Sequence, residues 1–399
     1  MRVLVVHNRY SATTPSGENV VVDQEVEWLR KAGLEVATHE VSNDDVLGRG
    51  LGVTLRAAAE TPWSPRASDR FATTVRDTRP DLVHVHNLFP LLTASVPARA
   101  LRAGLPVVWT AHNLRLVCVE GTHFRAGHDC TQCRPGWRVP GIVHGCYRGS
   151  VPGSALVTAA TSLFRRLARR QVTAVAISDT LRSWLVGEAG LPADRVRVKY
   201  NGVPVPAAPA TDPAASSTFL FAGRFAPHKG IDLLLDAWSR VGRPGAELCF
   251  VGDGPLADRV RAAAAADPRI TWAGAVPPAE VAERLGRARA VVVPSVWDEP
   301  FGRVAAEAFA LGRPVVTTGR GGLTEVVGDE AGWITGTDPA ALARALDEAA
   351  GSDAAVAARG EAGRRRHAER FSPEATTRAL LAVYDDVLAA AGRAGRNAG

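Results

Sequence analysis

Short runs of apolar residues alternate with amphipathic segments along most of the chain. Val3–Val6 has the pattern of a buried strand, and Glu18–Lys31 has apolar residues at helical spacing. Gly33 provides the stop signal for that helix, and Leu34–Val41 alternates as a second strand. This order predicts βαβ units and parallel sheets, so we expect an α/β fold.

The same pattern continues through two halves of the chain. In the first half it predicts strands at 82–85, 106–109, 174–177 and 196–198. In the second half it predicts strands at 219–222, 247–251, 271–273, 291–293 and 315–317, and helices at 230–241, 256–266 and 281–287. A further helix is expected after Glu299, and a last amphipathic helix at 372–390.

A segment rich in Pro, Ala, Ser and Thr separates the two halves. It has no hydrophobic periodicity and is typical of a surface linker. We therefore predict two Rossmann-like domains, which is also what a length of 399 residues favours. The predicted boundaries are a first domain at 1–203 with a Cys-rich insertion at 113–150, a linker at 204–217, a second domain at 218–371, a helix at 372–390 that packs back on the first domain, and a disordered tail at 391–399.

Composition and charge exclude several classes of protein. Apolar residues make up 46% and charged residues 22%, which is ordinary for a globular protein and unlike a disordered chain. The net charge of +6 suits anionic ligands but is too small over this length to indicate nucleic acid. The N-terminus has no signal-like apolar run, and no stretch approaches the roughly 20 apolar residues of a membrane span. We expect a soluble, cytoplasmic protein.

One basic segment raises a membrane alternative. Leu163–Val172 places four arginines on one side of a short helix: Arg165, Arg166, Arg169 and Arg170. Such a helix can rest on an anionic membrane surface, which would make the protein peripheral at the inner face of the membrane. A solvated basic helix is the commoner explanation, and both interpretations stay open.

The most informative segment is Pro294–Gly312, where a buried strand is followed by a helix. Glu299 lies at the turn between them, and ligands of open α/β sheets bind beyond the carboxyl ends of the strands. Glu307 follows eight residues later, two turns into the helix. Ionised carboxylates accept hydrogen bonds, so Glu307 suits a ribose diol and Glu299 suits sugar hydroxyls. The alternatives are a helix-dipole contact for Glu299 and a solvated position for Glu307.

A second group of residues follows the first strand of the second half. Gly223–Gly230 reads GRFAPHKG and places Arg224 and Lys229 near the start of a helix. Two cations beside helix amide groups suit a diphosphate. Gly252–Pro255 and Gly319–Gly322 offer further glycine-rich turns through which backbone amides can approach a ligand.

The order and spacing of these motifs resemble the nucleotide-sugar half of family-4 retaining glycosyltransferases. That resemblance implies a GT-B architecture, in which two Rossmann-like domains face each other across a cleft. It implies that Arg224 and Lys229 hold the diphosphate of a nucleoside diphosphate-sugar donor. It also implies that Glu299 contacts the donor sugar beside Phe301 and Gly302, that Glu307 binds the ribose, and that catalysis needs no metal. The expected reaction moves the sugar to a hydroxyl of a glycolipid, a polysaccharide or a small metabolite.

The resemblance also assigns residues in the first half. The family's early glycine-rich turn corresponds to Ser16-Gly17-Glu18, so Gly17 is expected near the donor. His112 is expected near the reacting sugar, whereas His84 and His86 are as well explained by structural roles. Arg303 stands where family members often carry an aliphatic residue.

A cysteine cluster follows His112. Cys118, Cys130, Cys133 and Cys146 contain one CxxC pair and lie in a chain without secretion signals. This spacing predicts one structural, tetrahedral zinc. Free buried thiols and a disulfide are the alternatives.

Two other functions compete with sugar transfer. The same scaffold serves nucleotide-sugar epimerases and pseudo-glycosyltransferases, which product analysis separates. A zinc-containing nucleic-acid-binding protein would use the cysteine cluster and the basic charge, but no recurring basic and aromatic stripe supports it.

Overall fold

The computed structural model describes residues 1–11, 16–46, 49–134 and 137–397, with side chains described to Gly392. In chain order the strands are β1 (Arg2–Arg9), β2 (Glu35–Ser42), β3 (Leu82–Val85), β4 (Val107–Ala111), β5 (Phe124–Arg125), β6 (His128–Asp129), β7 (Val172–Ala176), β8 (Val196–Val198), β9 (Thr218–Ala222), β10 (Glu247–Val251), β11 (Ile270–Trp272), β12 (Ala290–Val293), β13 (Val315–Thr317) and β14 (Gly332–Ile334). The helices are α1 (Gly17–Lys31), α2 (Leu51–Glu60), α3 (Pro65–Thr78), α4 (Ser95–Arg102), α5 (Val139–Val143), α6 (Val151–Gln171), α7 (Asp179–Gly187), α8 (Ile231–Trp238), α9 (Ala257–Ala266), α10 (Pro278–Arg287), α11 (Arg303–Ala310), α12 (Gly322–Val327), α13 (Pro339–Gly351), α14 (Asp353–Arg366) and α15 (Pro373–Asn397).

The chain forms two compact units. The first contains residues 1–123, 130–202 and 376–399, and the second contains residues 124–129 and 203–375. The short hairpin β5–β6 therefore clusters with the second unit, although the residues around it belong to the first.

The first unit is built on a parallel sheet of six strands in the order β2-β1-β3-β4-β7-β8. Its core on one face joins β1 to α1 and α15, because Val22 and Leu29 pack with Leu380 and Tyr384. Strands β3 and β4 are buried along their whole length, which explains their mostly apolar sequence.

The second unit repeats this plan. Its six-stranded parallel sheet has the order β11-β10-β9-β12-β13-β14, and Phe219, Phe250 and Trp238 lie in its core. The predicted α/β class with two Rossmann-like sheets is confirmed. The motifs singled out after β9, β10, β12 and β13 follow strands that are neighbours in this sheet.

Several elements differ from the sequence-based expectation. The pattern did not predict α2 and α3, in which Ala67 and Phe71 are the buried residues that the structure describes. The last helix extends to Asn397, past the predicted end at Ala390, because alanines at 389–391 continue its helix-favouring sequence. The basic segment 163–172 is the end of the longer helix α6.

Candidate functional site

An ion pair lies at the carboxyl end of the second sheet. Glu299 follows β12 and is 7% exposed, and its Oε1 accepts hydrogen bonds from Lys229 Nζ and from Ser295 Oγ, the latter at 2.8 Å. Burial alone would raise the pKa of Glu299, but Lys229, Ser295 and Trp297 hold that pKa below its usual value. Glu299 is thus an ionised, oriented carboxylate, and Lys229 is part of the same site.

The turn that carries Lys229 is shaped by close backbone packing. Gly230 has φ +75°, and a Cβ at this position would lie 1.9 Å from the carbonyl oxygen of Pro294. The Val296 amide also donates to the carbonyl of His228 at 3.0 Å. Only glycine allows this approach, which brings the turn after β9 against the end of β12.

Arg224 lies on the exposed part of the same loop. Its neighbour Gly223 is packed against the turn after β10, since a Cβ on Gly252 would lie 1.9 Å from the Gly223 carbonyl oxygen. The Phe225 amide donates to the carbonyl of Asp253 at 2.8 Å. Arg224 has no carboxylate partner among the residues that the structure describes, so its charge is available to a ligand.

The glycine-rich turn after β13 joins the same region. The Gly322 amide donates to the carbonyl of Glu299 at 2.7 Å, and Glu299 pairs with Gly321 in a parallel bridge. A Cβ on Gly321, which has φ +62°, would lie 2.5 Å from that carbonyl oxygen. The structure therefore brings together the motifs after β9, β12 and β13 around Glu299.

The remaining residues of the second unit that are predicted to bind the nucleotide-sugar donor lie just before α11 or on it. Gly302 has φ +95° and precedes α11, and a Cβ there would meet the Leu323 side chain at 2.3 Å. Phe301 is 3% exposed and packs edge-to-face on Phe371, so it has a packing role as well as its predicted one. Glu307 is half-buried and accepts a hydrogen bond from Arg303 Nε at 2.8 Å. The unusual Arg303 thus contacts the carboxylate predicted to bind ribose.

In the first unit His112 lines a cavity. The cavity encloses about 70 Å³, and its walls are the side chains of Phe89, Trp109, Leu116 and Phe164, with Glu18 and Arg115 as charged neighbours. His112 follows β4, is half-buried, and its Nε2 lies 2.9 Å from Nδ1 of His86. Burial, together with His86, holds the pKa of His112 well below 6.5, so its ring is neutral at neutral pH.

Glu18 is a residue of this cavity that the motif reasoning missed as a functional group. Its Oε2 accepts a hydrogen bond from the Tyr10 hydroxyl at 3.2 Å. Burial raises the pKa of Glu18 to about 7, although Arg115 and Tyr10 act in the opposite direction. A carboxyl in the first turn of the first helix was the available signal, but no sequence feature placed it beside His112.

Gly17 begins α1, where Ser16 caps the helix by accepting from the Asn19 amide at 3.5 Å. Its backbone has no left-handed φ, and a Cβ there would meet nothing within 4 Å. The described backbone does not itself require glycine at 17, and its role near the donor stays a prediction. Residues 12–15, which precede this turn, lie outside the described residues.

The four cysteines predicted to bind zinc lie close enough to affect one another's pKa values, but their sulfur atoms are not arranged to coordinate one ion. Burial and the neighbouring thiols raise the pKa of Cys146 to about 11, and burial raises that of Cys133. No three of the described cysteine sulfurs lie within 4.8 Å of one another, whereas a tetrahedral zinc with bonds near 2.3 Å requires closer sulfurs. All the cysteines are free thiols. Four thiols are suitable ligands for zinc, but the described positions of their sulfur atoms do not fit a tetrahedral ion. The zinc site therefore stays a prediction.

The basic segment is partly engaged within the first unit. Arg165 donates from Nε to the carbonyl of Ala189 at 2.7 Å, which leaves Arg166, Arg169 and Arg170 exposed at the end of α6. Within the described ranges, no helix is both long and apolar enough to cross a membrane.

Comparisons with family models cover both halves of the chain. Residues 15–205 match the model of Glycosyltransferase Family 4, and residues 216–351 match that of Glycosyl transferases group 1.

Curated relatives carry several transferase names. A D-inositol 3-phosphate glycosyltransferase of Segniliparus rotundus is 40% identical over 178 residues, which is 41% of this chain and 38% of that protein. A protein of the same name from Acidothermus cellulolyticus is 33% identical and covers 63% of each chain. The glycogen synthase of Mycobacterium tuberculosis is 28% identical and covers 95% of this chain and 89% of that one. The chain thus spans less than two thirds of the length of the inositol-phosphate relatives.

Solved structures share the fold at low sequence identity. Anabaena HepE, crystallised with UDP and glucose, has a TM-score of 0.68 at 17% identity and covers 97% of this chain and 100% of that one. Sucrose-phosphate synthase of Thermosynechococcus elongatus has a TM-score of 0.70 at 20% identity, with coverage of 98% and 99%. With its two parallel six-stranded sheets, the chain belongs to the family-4, group 1 glycosyltransferases and has the GT-B fold.

Proposed function

We propose that the protein is a retaining glycosyltransferase that moves a sugar from a nucleoside diphosphate to an acceptor hydroxyl. The observation that carries this proposal is the Lys229–Glu299 pair with the exposed Arg224, at the carboxyl end of the sheet in the group 1 half. Ligands of parallel α/β sheets bind at that end.

The chemistry of the departing group explains the two cations. Breaking the sugar–phosphate bond leaves negative charge on the diphosphate, and Arg224 and Lys229 stabilise that charge as it develops. The buried carboxylate of Glu299 accepts hydrogen bonds from sugar hydroxyls and keeps Lys229 oriented. Since the chain itself supplies the positive charge, we propose that turnover needs no divalent cation, and a metal chelator should leave the rate unchanged.

The ribose is assigned to Glu307. Its Oε1 already accepts a hydrogen bond from Arg303. Arg303 therefore orients the carboxylate, and the other carboxylate oxygen can accept from a ribose hydroxyl. Because Anabaena HepE was crystallised with UDP and with UDP-glucose, these are the first nucleotide and the first donor to test.

The acceptor is assigned to the cavity in the first unit. His112, which the family resemblance implies is near the reacting sugar, lines this cavity, and Glu18 is the carboxyl that can hydrogen-bond to an acceptor hydroxyl. The aromatic walls suit the apolar face of a sugar ring or an apolar substituent. This leaves a glycolipid, a polysaccharide and a small metabolite as acceptor classes.

The test is product analysis with a matched panel. Wild type is incubated with UDP-, GDP-, ADP- and dTDP-sugars, and with D-inositol 3-phosphate, glycogen and phosphatidylinositol, the acceptors suggested by the relatives' names. NMR of the product should show a new glycosidic bond with the anomeric configuration of the donor. An epimerised nucleotide sugar without transfer would favour the epimerase, and an inverted product would exclude retention.

The donor-binding part has a matched control. Arg259 is an exposed arginine of the same unit and pairs with Asp232 at 2.8 Å. Arg259→Ala should leave donor turnover unchanged, whereas Arg224→Ala should lower it. Equal effects of the two changes would show that net charge, and not the proposed contact, matters.

The membrane alternative has its own test. Arg166, Arg169 and Arg170 are the exposed arginines of the basic segment. Sedimentation with phosphatidylglycerol vesicles should pull down wild type but not a variant with these three arginines changed to Gln. Equal recovery of both proteins in the pellet would leave the segment as a solvated helix end.

A further inference from the structure

A line of buried polar groups runs through the first unit behind His112. Lys199 follows β8 and is 3% exposed, and its Nζ donates to Oε2 of Glu25 on α1, which is 4% exposed. Glu25 Oε1 lies 3.3 Å from Nε2 of His86, and His86 Nδ1 lies 2.9 Å from His112 Nε2. Three contacts therefore connect a buried ammonium group to the histidine that lines the cavity.

The charge state of Glu25 follows from its surroundings. Burial alone would raise the pKa of this carboxyl, but Lys199 and His86 hold it well below 4.5. Glu25 is therefore an ionised carboxylate, and both of its oxygens are acceptors only.

His84 does not supply the proton that Glu25 Oε1 needs. The Tyr384 hydroxyl is buried and lies 2.6 Å from His84 Nδ1, its hydrogen-bond partner among the described residues, so the phenol proton is donated to that nitrogen. His84 Nδ1 then accepts, and its Nε2–H faces Thr110 Oγ1 at 2.8 Å. The nearby nitrogen of His84, 3.4 Å from Glu25 Oε1, carries no proton.

The remaining donor for Glu25 Oε1 is His86. Glu25 Oε1 and His86 Nε2 are both buried, and neither forms a well-aligned hydrogen bond with a described residue; at 3.3 Å their contact is shorter than the 3.4 Å contact of Oε1 with His84 Nδ1. A proton on His86 Nε2 turns this contact into an attraction that partly compensates both groups, since a buried polar group without a partner is costly. With one proton per ring, His86 Nδ1 is unprotonated and accepts from Nε2–H of His112.

We propose that Glu25 is a positioning residue that acts through His86: its carboxylate sets the tautomers so that His112 keeps its proton on Nε2 and has an unprotonated Nδ1 for a hydroxyl group of the bound sugar. This inference rests on the proposed function in one respect, namely that His112 contacts sugar. The tautomers themselves do not depend on that function.

A metal site at the same residues is the competing explanation. Glu25, His84 and His86 each offer a ligand atom, and these atoms lie within 4.8 Å of one another. The ammonium of Lys199 already neutralises the carboxylate, and both nitrogens of His84 face hydroxyl groups. The pocket thus holds its own cation, which disfavours a second one.

The test is nitrogen NMR of the full chain labelled with ¹⁵N-histidine. Long-range proton–nitrogen correlations report which ring nitrogen carries the proton, and single His→Gln variants assign the signals. In metal-free wild type, His86 and His112 should both be protonated on Nε2. A proton on Nδ1 of either residue would overturn the inference, whether or not any variant folds. Signals that shift when wild type is mixed with zinc would support the metal site instead.

Glu25→Gln provides the decisive variant. The amide oxygen should face Lys199, because an NH₂ group there would meet the ammonium, and the NH₂ group should therefore face His86. His86 must then accept at Nε2 and carry its proton on Nδ1, and His112 must carry its proton on Nδ1. Both tautomers should reverse. Unchanged tautomers in a folded Glu25→Gln protein would refute the assignment.

Kinetics and a matched control separate positioning from a general structural effect. Glu27→Gln changes the charge of an exposed residue on the same helix, where Glu27 pairs with Lys31 at 2.6 Å, and should change nothing. Glu25→Gln should lower kcat about ten- to hundredfold, by analogy with the partners that orient metal-binding histidines. Nucleoside diphosphate affinity should not change. Reversed tautomers without any sugar transfer in wild type would refute the proposed function and leave the positioning role intact.

Discussion

Because Lys199 and Glu25 form a buried ion pair, we predict that removing one partner strongly lowers the free energy of unfolding. Lys199→Met removes the ammonium and leaves a carboxylate that is 4% exposed without its charged partner. Because solvent cannot screen groups buried to this degree, the loss should be about 3–5 kcal/mol, the cost of removing one member of a buried pair. The exposed Lys31→Met, which breaks a surface pair with Glu27, should cost under about 0.5 kcal/mol.

The double variant tests whether this loss comes from the unpaired charge. In Glu25→Gln/Lys199→Met both charges of this pair are removed, so the double variant should regain more than half of the stability lost in Lys199→Met. Guanidinium unfolding measures the total effect. Hydrogen exchange of α1 and β3 peptides reports the first unit separately, since two units need not unfold in one step. If the stability loss of the double variant equalled the sum of the losses of the two single variants, the coupling between Glu25 and Lys199 would be refuted.

The pH dependence of this loss has a defined sign. In wild type the folded pKa of Glu25 lies below 4.5, so its contribution is complete above pH 4.5 and is lost as the pH falls through the folded pKa. In Lys199→Met, burial without the ammonium raises the folded pKa of Glu25. The folded state is then favoured at low pH, where the carboxyl is protonated, and loses that stability as the pH rises through the folded pKa. The destabilisation of the variant should therefore be larger at pH 8 than at pH 5. A loss that is independent of pH would show that Glu25 is not the group left unpaired.

Three further predictions concern the other sites. Glu307→Gln should weaken nucleoside diphosphate binding by about 1–3 kcal/mol in calorimetry, because a neutral amide forms weaker hydrogen bonds with the ribose diol, and unchanged affinity would make Glu307 an ordinary helix residue. Burial raises the pKa of Glu18 to about 7, so wild-type turnover should change between pH 6 and 8, and Glu18→Gln should remove that change. The contribution of Glu18 to stability should be present at low pH and be lost as the pH rises through 7. Identical pH profiles of wild type and Glu18→Gln would count against a role of Glu18 in turnover. The zinc site predicted from the sequence, which the described sulfur positions do not fit, is tested by elemental analysis: about one zinc per chain would support it, and full thiol titration of metal-free native protein would contradict it.

The sequence predicted the sheets better than the surface helices. Strands such as β3 and β10 are short, mostly apolar runs, and their pattern predicts them with correct ends. Helix α3 is mostly polar and buries little beyond Ala67 and Phe71, which is too weak a stripe to see without the sheet it covers. Its first residue becomes clear only from the Ser64 cap, whose side chain accepts from the Ala67 amide.

The site was predictable only where its residues share a local motif. Lys229 and Glu299 stand in short motifs that directly follow strands, and the sheet order brings those motifs together. Glu25 and Lys199 are 174 positions apart, and each lies in a segment whose apolar pattern suggests only a helix or a strand. Their pairing depends on how α1 and β8 are placed in the first unit, and no local pattern contains that information.

The assignment of the diphosphate to Arg224 and Lys229 is tested by comparing donor turnover with nucleotide affinity in Arg224→Ala, Lys229→Ala and His112→Ala. Both changes in the second unit should lower turnover by orders of magnitude and also weaken nucleoside diphosphate binding, because they remove charge that stabilises the leaving group. His112→Ala should lower turnover and leave that affinity nearly intact, because a contact with the reacting sugar contributes little to binding the nucleotide alone. If Arg224→Ala and Lys229→Ala kept the turnover and the nucleotide affinity of wild type, a donor site at these two cations would be contradicted.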